Sequence, residues 1–266
     1  MTSEDVEARR LHRGLRRAFG ETLRQVEGAW IEERAGYAVV GCPAIPIPGF
    51  NGVWVDGPDV MAPQTLAGAV DEVRRHGAPC WIELRADRTP AIRAAAVGLG
   101  FMREDTYPGM VATPQEIRLP GFGGPQISRV EGPSAIAEAI DVAAAGFEAP
   151  RELFAALYTP AVLAVPGLSV YLLRIGGRAV STATAWLGDG AVGIFNVATP
   201  PAERGHGYGT LITAHAAWEG FAAGADLAWL QASAMGEPVY RRMGFRQVET
   251  YEVLGRPAAA DDLAST

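Results

Sequence analysis

The chain has 266 residues, enough for one large domain or two of ordinary size. Hydrophobic residues make up 48% and charged residues 20%, which supports a buried core and excludes wholesale disorder. A net charge of −7 argues against a nucleic-acid surface, which needs clustered Lys and Arg. It also suits a cationic small substrate, although solubility alone accounts for a mildly acidic protein. No apolar run approaches the roughly 20 residues of a membrane span, and residues 1–17 lack the apolar centre of a signal peptide. Cys42 and Cys80 are too few for a disulfide framework and have no His at metal-ligand spacing. Both read as buried or semi-buried thiols. The expectation is a cytoplasmic protein with no metal and with neither membrane nor nucleic acid as partner.

In chain order, a strand is expected at 52–55, followed by a loop to residue 65 and a helix at 66–75. A strand at 80–85, a helix at 90–97 and Gly100-Phe101 come next. Residues 108–125, rich in Pro and Gly, read as a linker. Beyond it come a strand at 126–130, a helix at 133–145 opened by Pro133, and a helix at 151–158 stopped by Pro160. Strands at 168–175 and 178–187 are joined by Gly176-Gly177, a hairpin signal, and a third strand spans 191–198. A helix at 208–222, a strand at 226–232, a helix at 237–242 and Gly244-Phe245 close the pattern. Both halves thus run helix, strand, helix, Gly-Phe, strand. We read two tandem copies of one α+β domain, divided as 1–115, a linker at 116–125, and 126–266.

The chemistry concentrates where the strand 191–198 passes through Thr199 into a loop holding Arg204, Gly205, His206, Gly207, Tyr208, Gly209 and Thr210. Glycines alternate there and a helix begins at once, its apolar face expected at Leu211, Ala214, Trp218 and Phe221. The first N–H groups of a helix lack internal partners and sit at its positive end, so such a loop suits a pyrophosphate. The dinucleotide fingerprint fails because Thr210 stands where a third glycine is needed, and a P-loop fails for want of a Lys-Ser/Thr pair. Arg204, Gly207 and Gly209 satisfy the pyrophosphate signature Gln/Arg-x-x-Gly-x-Gly/Ala. The stretch from Leu230 through Ser233, Tyr240 and Met243 to Gly244-Phe245 follows at the right separation. On these two motifs the chain resembles the GNAT acyltransferases over about residues 127–254, and the family's tandem members extend the likeness loosely to the N-terminal half.

The resemblance implies two tandem GNAT-like domains, each a mixed, mostly antiparallel sheet flanked by helices, the first degenerate and without a cofactor loop. It implies acetyl-CoA as acyl donor, bound by Val197, Ala198, Thr199, residues 204–210 and Ser233. The Val197 N–H would face the thioester oxygen, and Tyr240 would protonate the departing thiolate. Each has a plainer reading: Val197 as core, Arg204 as a solvated loop residue, Ser233 as a strand-ending cap, Tyr240 as an aromatic anchor. His206 reads as exposed, contributing its backbone amide. The carboxylate that many relatives carry on the central strand is missing from residues 193–196, and Glu148, between two helices, is one replacement, a water relay another. The N-terminal loop 56–65 has carboxylates and prolines in place of glycines; Trp30, Tyr37, Phe50 and Trp54 read as acceptor-pocket lining or as core. The implied activity is acetyl transfer to a primary amine of a small molecule or peptide within a ternary complex, with a homodimer left open. A non-catalytic acyl-CoA sensor or scaffold is the alternative.

Overall fold

The structure, a computed structural model, describes residues 2–57, 62–86, 88–118 and 126–256. It opens on α1 (Ser3–Leu23), a helix for which no element was expected. A capping box starts it: Asp5 N–H donates to Thr2 Oγ1 and Thr2 N–H to Asp5 Oδ2, both at 3.1 Å. Ala8, Leu11, Leu15 and Ala18 then form a buried stripe at helical spacing. The second compact unit comprises Gly28–Tyr107 and Thr250–Thr266, and the first Met1–Glu27 and Pro108–Glu249. This division differs from the contiguous one expected at 116–125, and residues 119–125 of that linker lie outside the described residues.

In the second unit, β1 (Trp30–Arg34), β2 (Tyr37–Gly41) and β3 (Gly52–Val55) form an antiparallel meander. The helix α2 (Pro63–Arg75) returns the chain to β4 (Trp81–Arg85), which runs parallel to β3. After α3 (Pro90–Gly98) the chain enters β5 (Met102–Ala112), while residues 251–254 flank β4 in antiparallel register. Val53, Leu66, Val70, Ile82, Leu84 and Phe101 fill the core, with Trp30 and Tyr37 packed on it. Phe50 and Trp54 are buried, so these four aromatics pack the unit's interior. Part of the loop expected to replace the phosphate cradle, including Asp59, lies outside the described residues. Burial raises both thiols, that of Cys80 up to about 12, so neither is poised as a nucleophile.

In the first unit, β6 (Gln126–Arg129), β7 (Leu168–Ile175), β8 (Arg178–Gly188) and β9 (Ala191–Ala198) are antiparallel neighbours in chain order. Between β6 and β7 lie α4 (Gly132–Phe147), α5 (Arg151–Leu157) and the single turn α6 (Pro160–Leu163). Pro160 thus ends one helix and opens another, capped by Thr159. After β9, α7 (Tyr208–Ala222) crosses to β10 (Leu227–Gln231), parallel to β9, and α8 (Glu237–Met243) leads into β11 (Arg246–Gly255). Residues 109–112 of β5 pair antiparallel with β10. The apolar face expected of α7 holds at Ala214, which is buried, and at Leu211 and Phe221, which pack partly buried against the core; Trp218 is the exception. Ile212, Thr213, Ala214, Ala216, Ala217 and Gly220 are buried, whereas Trp218 is exposed. The helix comes closest to the sheet at Gly220, where a Cβ would lie 2.5 Å from Val192, so small residues flank Ile212 along that side. No helix among the described residues is long and apolar enough to cross a membrane.

The repeated Gly-Phe is the same device in both units. Gly100 and Gly244 take left-handed φ values of +84° and +103°, and Phe101 and Phe245 after them are buried.

Candidate acyl-donor cleft

The cleft begins as a break in the first unit's sheet. The parallel ladder between β9 and β10 runs Ala191–Leu227, Val192–Ala228 and Gly193–Trp229, then stops while β9 continues to Ala198. At that last pair the Trp229 ring lies across Gly193, where an added Cβ would be 2.2 Å from it. On the other edge, Thr182 pairs with Ala198 but Thr184 with Phe195, so β9 carries one extra residue. Asn196 sits in this bulge at φ +51°, which re-aims the backbone of Asn196 and Val197. The strand's end is tied down by Ser181, whose hydroxyl donates to Ala198 O at 2.9 Å and lies 3.0 Å from Thr199 Oγ1.

From Thr199 a short 3₁₀ turn (Pro201–Glu203) leads into the glycine loop. Gly205 and Gly207 hold φ +84° and +78°, values a side chain would strain. Gly207 is the N-cap of α7, and the first intrahelical bond runs from Leu211 N to Gly207 O at 3.0 Å. The Tyr208, Gly209 and Thr210 N–H groups therefore stand ahead of the ladder, at the positive end of a four-turn helix. Gly209 differs from the other two glycines. Its φ is ordinary, and a Cβ there would meet only Thr199 Oγ1, at 3.7 Å. The protein's own packing does not require a glycine at 209, and the start of α7 is open there.

A cavity of about 310 Å³ is lined by Gly146, Phe147 and Glu148 from α4, Val197, Ala198 and Thr199 from β9, Arg204 and Gly209, and Ser233, Met235, Gly236, Val239 and Tyr240. Eight of the residues read from sequence thus meet at one cleft: Glu148, Val197, Ala198, Thr199, Arg204, Gly209, Ser233 and Tyr240. Gly205, His206, Gly207, Tyr208 and Thr210 shape the loop without lining the cavity. His206 is exposed and stacks on Tyr208 at 5.4 Å. Arg204 is not free for a phosphate: Nη2 donates to Gly146 O at 2.8 Å and Glu148 Oε1 at 3.1 Å, and Nε to Thr199 O at 3.2 Å. Ser233 sits in the turn ahead of α8, its hydroxyl accepting from Gly236 N–H at 3.2 Å. Gly146, Phe147, Met235 and Val239 were not picked out from sequence. Gly146 carried a signal in its smallness, since a Cβ would press on Ala198 and on Thr199 N at 2.8 and 2.9 Å.

Tyr240 packs beside Phe245. Burial pushes its phenol up to about 12, and the Thr213 hydroxyl nearby offsets part of that rise. The group is a standing hydrogen donor across the physiological range.

Neither a protein-family model nor any curated protein matches this chain. Solved structures do. A GCN5-related N-acetyltransferase from Kribbella flavida is 22% identical with a TM-score of 0.72, covering 94% of this chain and 98% of that one. Another, from Sphaerobacter thermophilus, is 17% identical with a TM-score of 0.61, covering 93% and 90%. A tandem GNAT protein from the clavulanic acid biosynthesis pathway is 14% identical with a TM-score of 0.58, covering 89% and 86%. At these identities the likeness is one of fold.

Proposed function

Since this chain has the fold of the GCN5-related N-acetyltransferases, tandem members included, we propose that it transfers an acetyl group from acetyl-CoA to a primary amine of a small molecule or peptide, directly and within a ternary complex. One observation carries the reading: the bulged end of β9, the open helix start at Gly209 and the Tyr240 phenol converge on a single cleft. The first-turn N–H groups of α7 receive the pyrophosphate. Backbone that β10 no longer pairs, in the reach 194–198, receives the pantetheine arm, and the Val197 N–H faces the thioester oxygen as charge builds on it. Tyr240 hydrogen-bonds the departing sulfur. A phenol at about 12 is a weaker acid than an ordinary thiol near ~8.5, so the bond itself, rather than complete proton transfer, supplies the stabilisation.

The test is release of free coenzyme A thiol from acetyl-CoA when a library of primary amines is added. Amine-dependent release supports transfer. Tight acetyl-CoA binding with no release for any amine would leave a sensor or scaffold, and no binding at all would sink the reading.

A further inference from the structure

A buried phenol that the proposed reaction does not use lies behind the β9 bulge. Tyr158, the C-cap of α5, is 3% exposed, its ring packed beside Phe154 with centroids 6.4 Å apart. Its hydroxyl lies 3.4 Å from Thr184 Oγ1. Burial pushes the phenol up to about 12, and the Thr184, Thr182 and Asn196 side chains that reach it offset part of that rise. These three residues bracket the irregularity in the sheet. Thr184 pairs with Phe195 and Thr182 with Ala198, so Asn196 and Val197 together stand against the single residue Ala183. One buried hydroxyl therefore ties α5 to both sides of the bulge.

We infer that Tyr158 is a positioning residue for acyl transfer: its hydroxyl holds Asn196 in the left-handed bulge and so aims the Val197 N–H at the thioester oxygen. The inference rests on the acyl-CoA reading above. The Val197 N–H belongs to the planar peptide that joins Asn196 to Val197, so its direction follows the backbone angles of Asn196. A φ of +51° is costly for a residue with a side chain, and Asn tolerates it best where its amide finds a hydrogen bond. The competing arrangement is an extended Asn196, which relieves the backbone and turns the Val197 N–H to a different direction. Tyr158 and Thr184 oppose that change, because it would strip a buried phenol of one of its few polar neighbours. Val197 lines the cleft, whereas Tyr158, Thr182 and Thr184 do not. The bulge is thus held from behind, by groups outside the cleft.

Nuclear magnetic resonance of the isotope-labelled full chain tests this, with coenzyme A and acetyl-CoA as probes that differ only in the acyl group. In wild type the Val197 amide proton should move downfield when acetyl-CoA replaces coenzyme A. Tyr158→Phe keeps the ring and deletes the hydroxyl, so coenzyme A affinity by calorimetry should be unchanged while most of the Val197 displacement is lost. Glycine adopts a left-handed φ without an anchor, so Asn196→Gly in the Tyr158→Phe background should restore the displacement. With an amine identified by thiol release, turnover should follow the same pattern. It should fall about three- to ten-fold in Tyr158→Phe at unchanged acetyl-CoA affinity, and recover in the double variant. A full displacement in Tyr158→Phe overturns the inference, and so does a double variant that stays silent. Should Tyr158→Phe fail to fold, Asn196→Ala takes its place, since it removes the amide that the hydroxyl holds; a full displacement there overturns the inference equally. Wild type that binds coenzyme A but shows no Val197 displacement overturns this inference and leaves the donor site standing. Wild type that binds no coenzyme A overturns the acyl-CoA reading as well.

Discussion

Among the three loop glycines, only Gly209 is spared any structural duty of its own, and this makes it the sharpest probe of the donor site. Gly205 and Gly207 need glycine for their backbone angles, so substituting them confuses strain with loss of the ligand. At Gly209 an added Cβ meets nothing nearer than 3.7 Å. Gly209→Glu therefore keeps the fold, judged by an unchanged circular dichroism spectrum, while placing a carboxylate where the phosphates dock. Coenzyme A binding should fall below detection by calorimetry, and undiminished affinity would move the donor site elsewhere. Tyr240 gives the complementary test at the sulfur end. Tyr240→Phe keeps the ring against Phe245 and deletes one hydrogen bond to a developing charge, worth about 1.5–3 kcal/mol. Turnover should fall about ten- to hundred-fold with acetyl-CoA affinity little changed. Because burial raises the phenol to about 12, it stays protonated through the working range and adds no alkaline limb below about pH 10. The pH profiles of wild type and Tyr240→Phe should then keep one shape. A limb near pH 9 that vanishes in the variant would show an unburied phenol that titrates during turnover.

At the scale of elements, α7 shows how a helix carries its donor groups to the cleft. Its sheet-facing surface is made mostly of small residues around Ile212, and Gly220 lies flush on Val192. Gly220→Ala sets two effects against each other. Helix propensity gains about 1 kcal/mol, while a Cβ 2.5 Å from Val192 forces overpacking that typically costs about 1–3 kcal/mol. The second should win, giving a lower urea midpoint at unchanged slope; a raised midpoint would mean that α7 yields freely. This packing also marks a limit of the sequence. Trp218 falls at helical spacing with Leu211, Ala214 and Phe221, and spacing alone cannot tell that Ala and Gly further round the helix make the closest approach to the sheet while Trp218 stays exposed. The bulge at Asn196 was illegible for a related reason: it is set by the register of Thr182 and Thr184 across the ladder, not by β9 itself. The helix boundaries of α4, α7 and α8, by contrast, were written locally, in Pro133, in Gly207 and in the Gly244 cap. So was the glycine loop. Glu148 could be singled out by its place between two helices, but Phe147 reaches the cleft only through the way α4 ends, a tertiary fact no motif encodes.

For the whole molecule, the repeat of helix, strand, helix and Gly-Phe was legible, but the cut between its copies was not. A chain read linearly puts residues 1–115 in one domain. The first unit instead takes in Met1–Glu27 and Pro108–Glu249, and the second takes in Thr250–Thr266. Strand exchange of this kind leaves no local signal, because β5 reads as an ordinary strand whichever partner it finds. The consequence is testable by cutting the chain at residue 120. A fragment of residues 121–266 lacks α1 and the β5 segment that pairs Gly109 with Gln231 and Ala112 with Ala228. It thus loses Leu11, Leu15, Leu23, Met110 and Val111, each at most 4% exposed, and leaves β10 as a bare edge. At about 1.5–3 kcal/mol for each buried side chain, those five contribute roughly 10 kcal/mol, comparable to the entire stability of a typical domain. The fragment alone should show no cooperative melt and no coenzyme A binding. Co-expressed with residues 1–120 it should recover both, with one coenzyme A per pair of fragments, since only the first unit carries the glycine loop. A soluble 121–266 fragment that melts cooperatively and binds coenzyme A unaided would restore the linear division, and two equivalent sites per pair would show a second donor cleft.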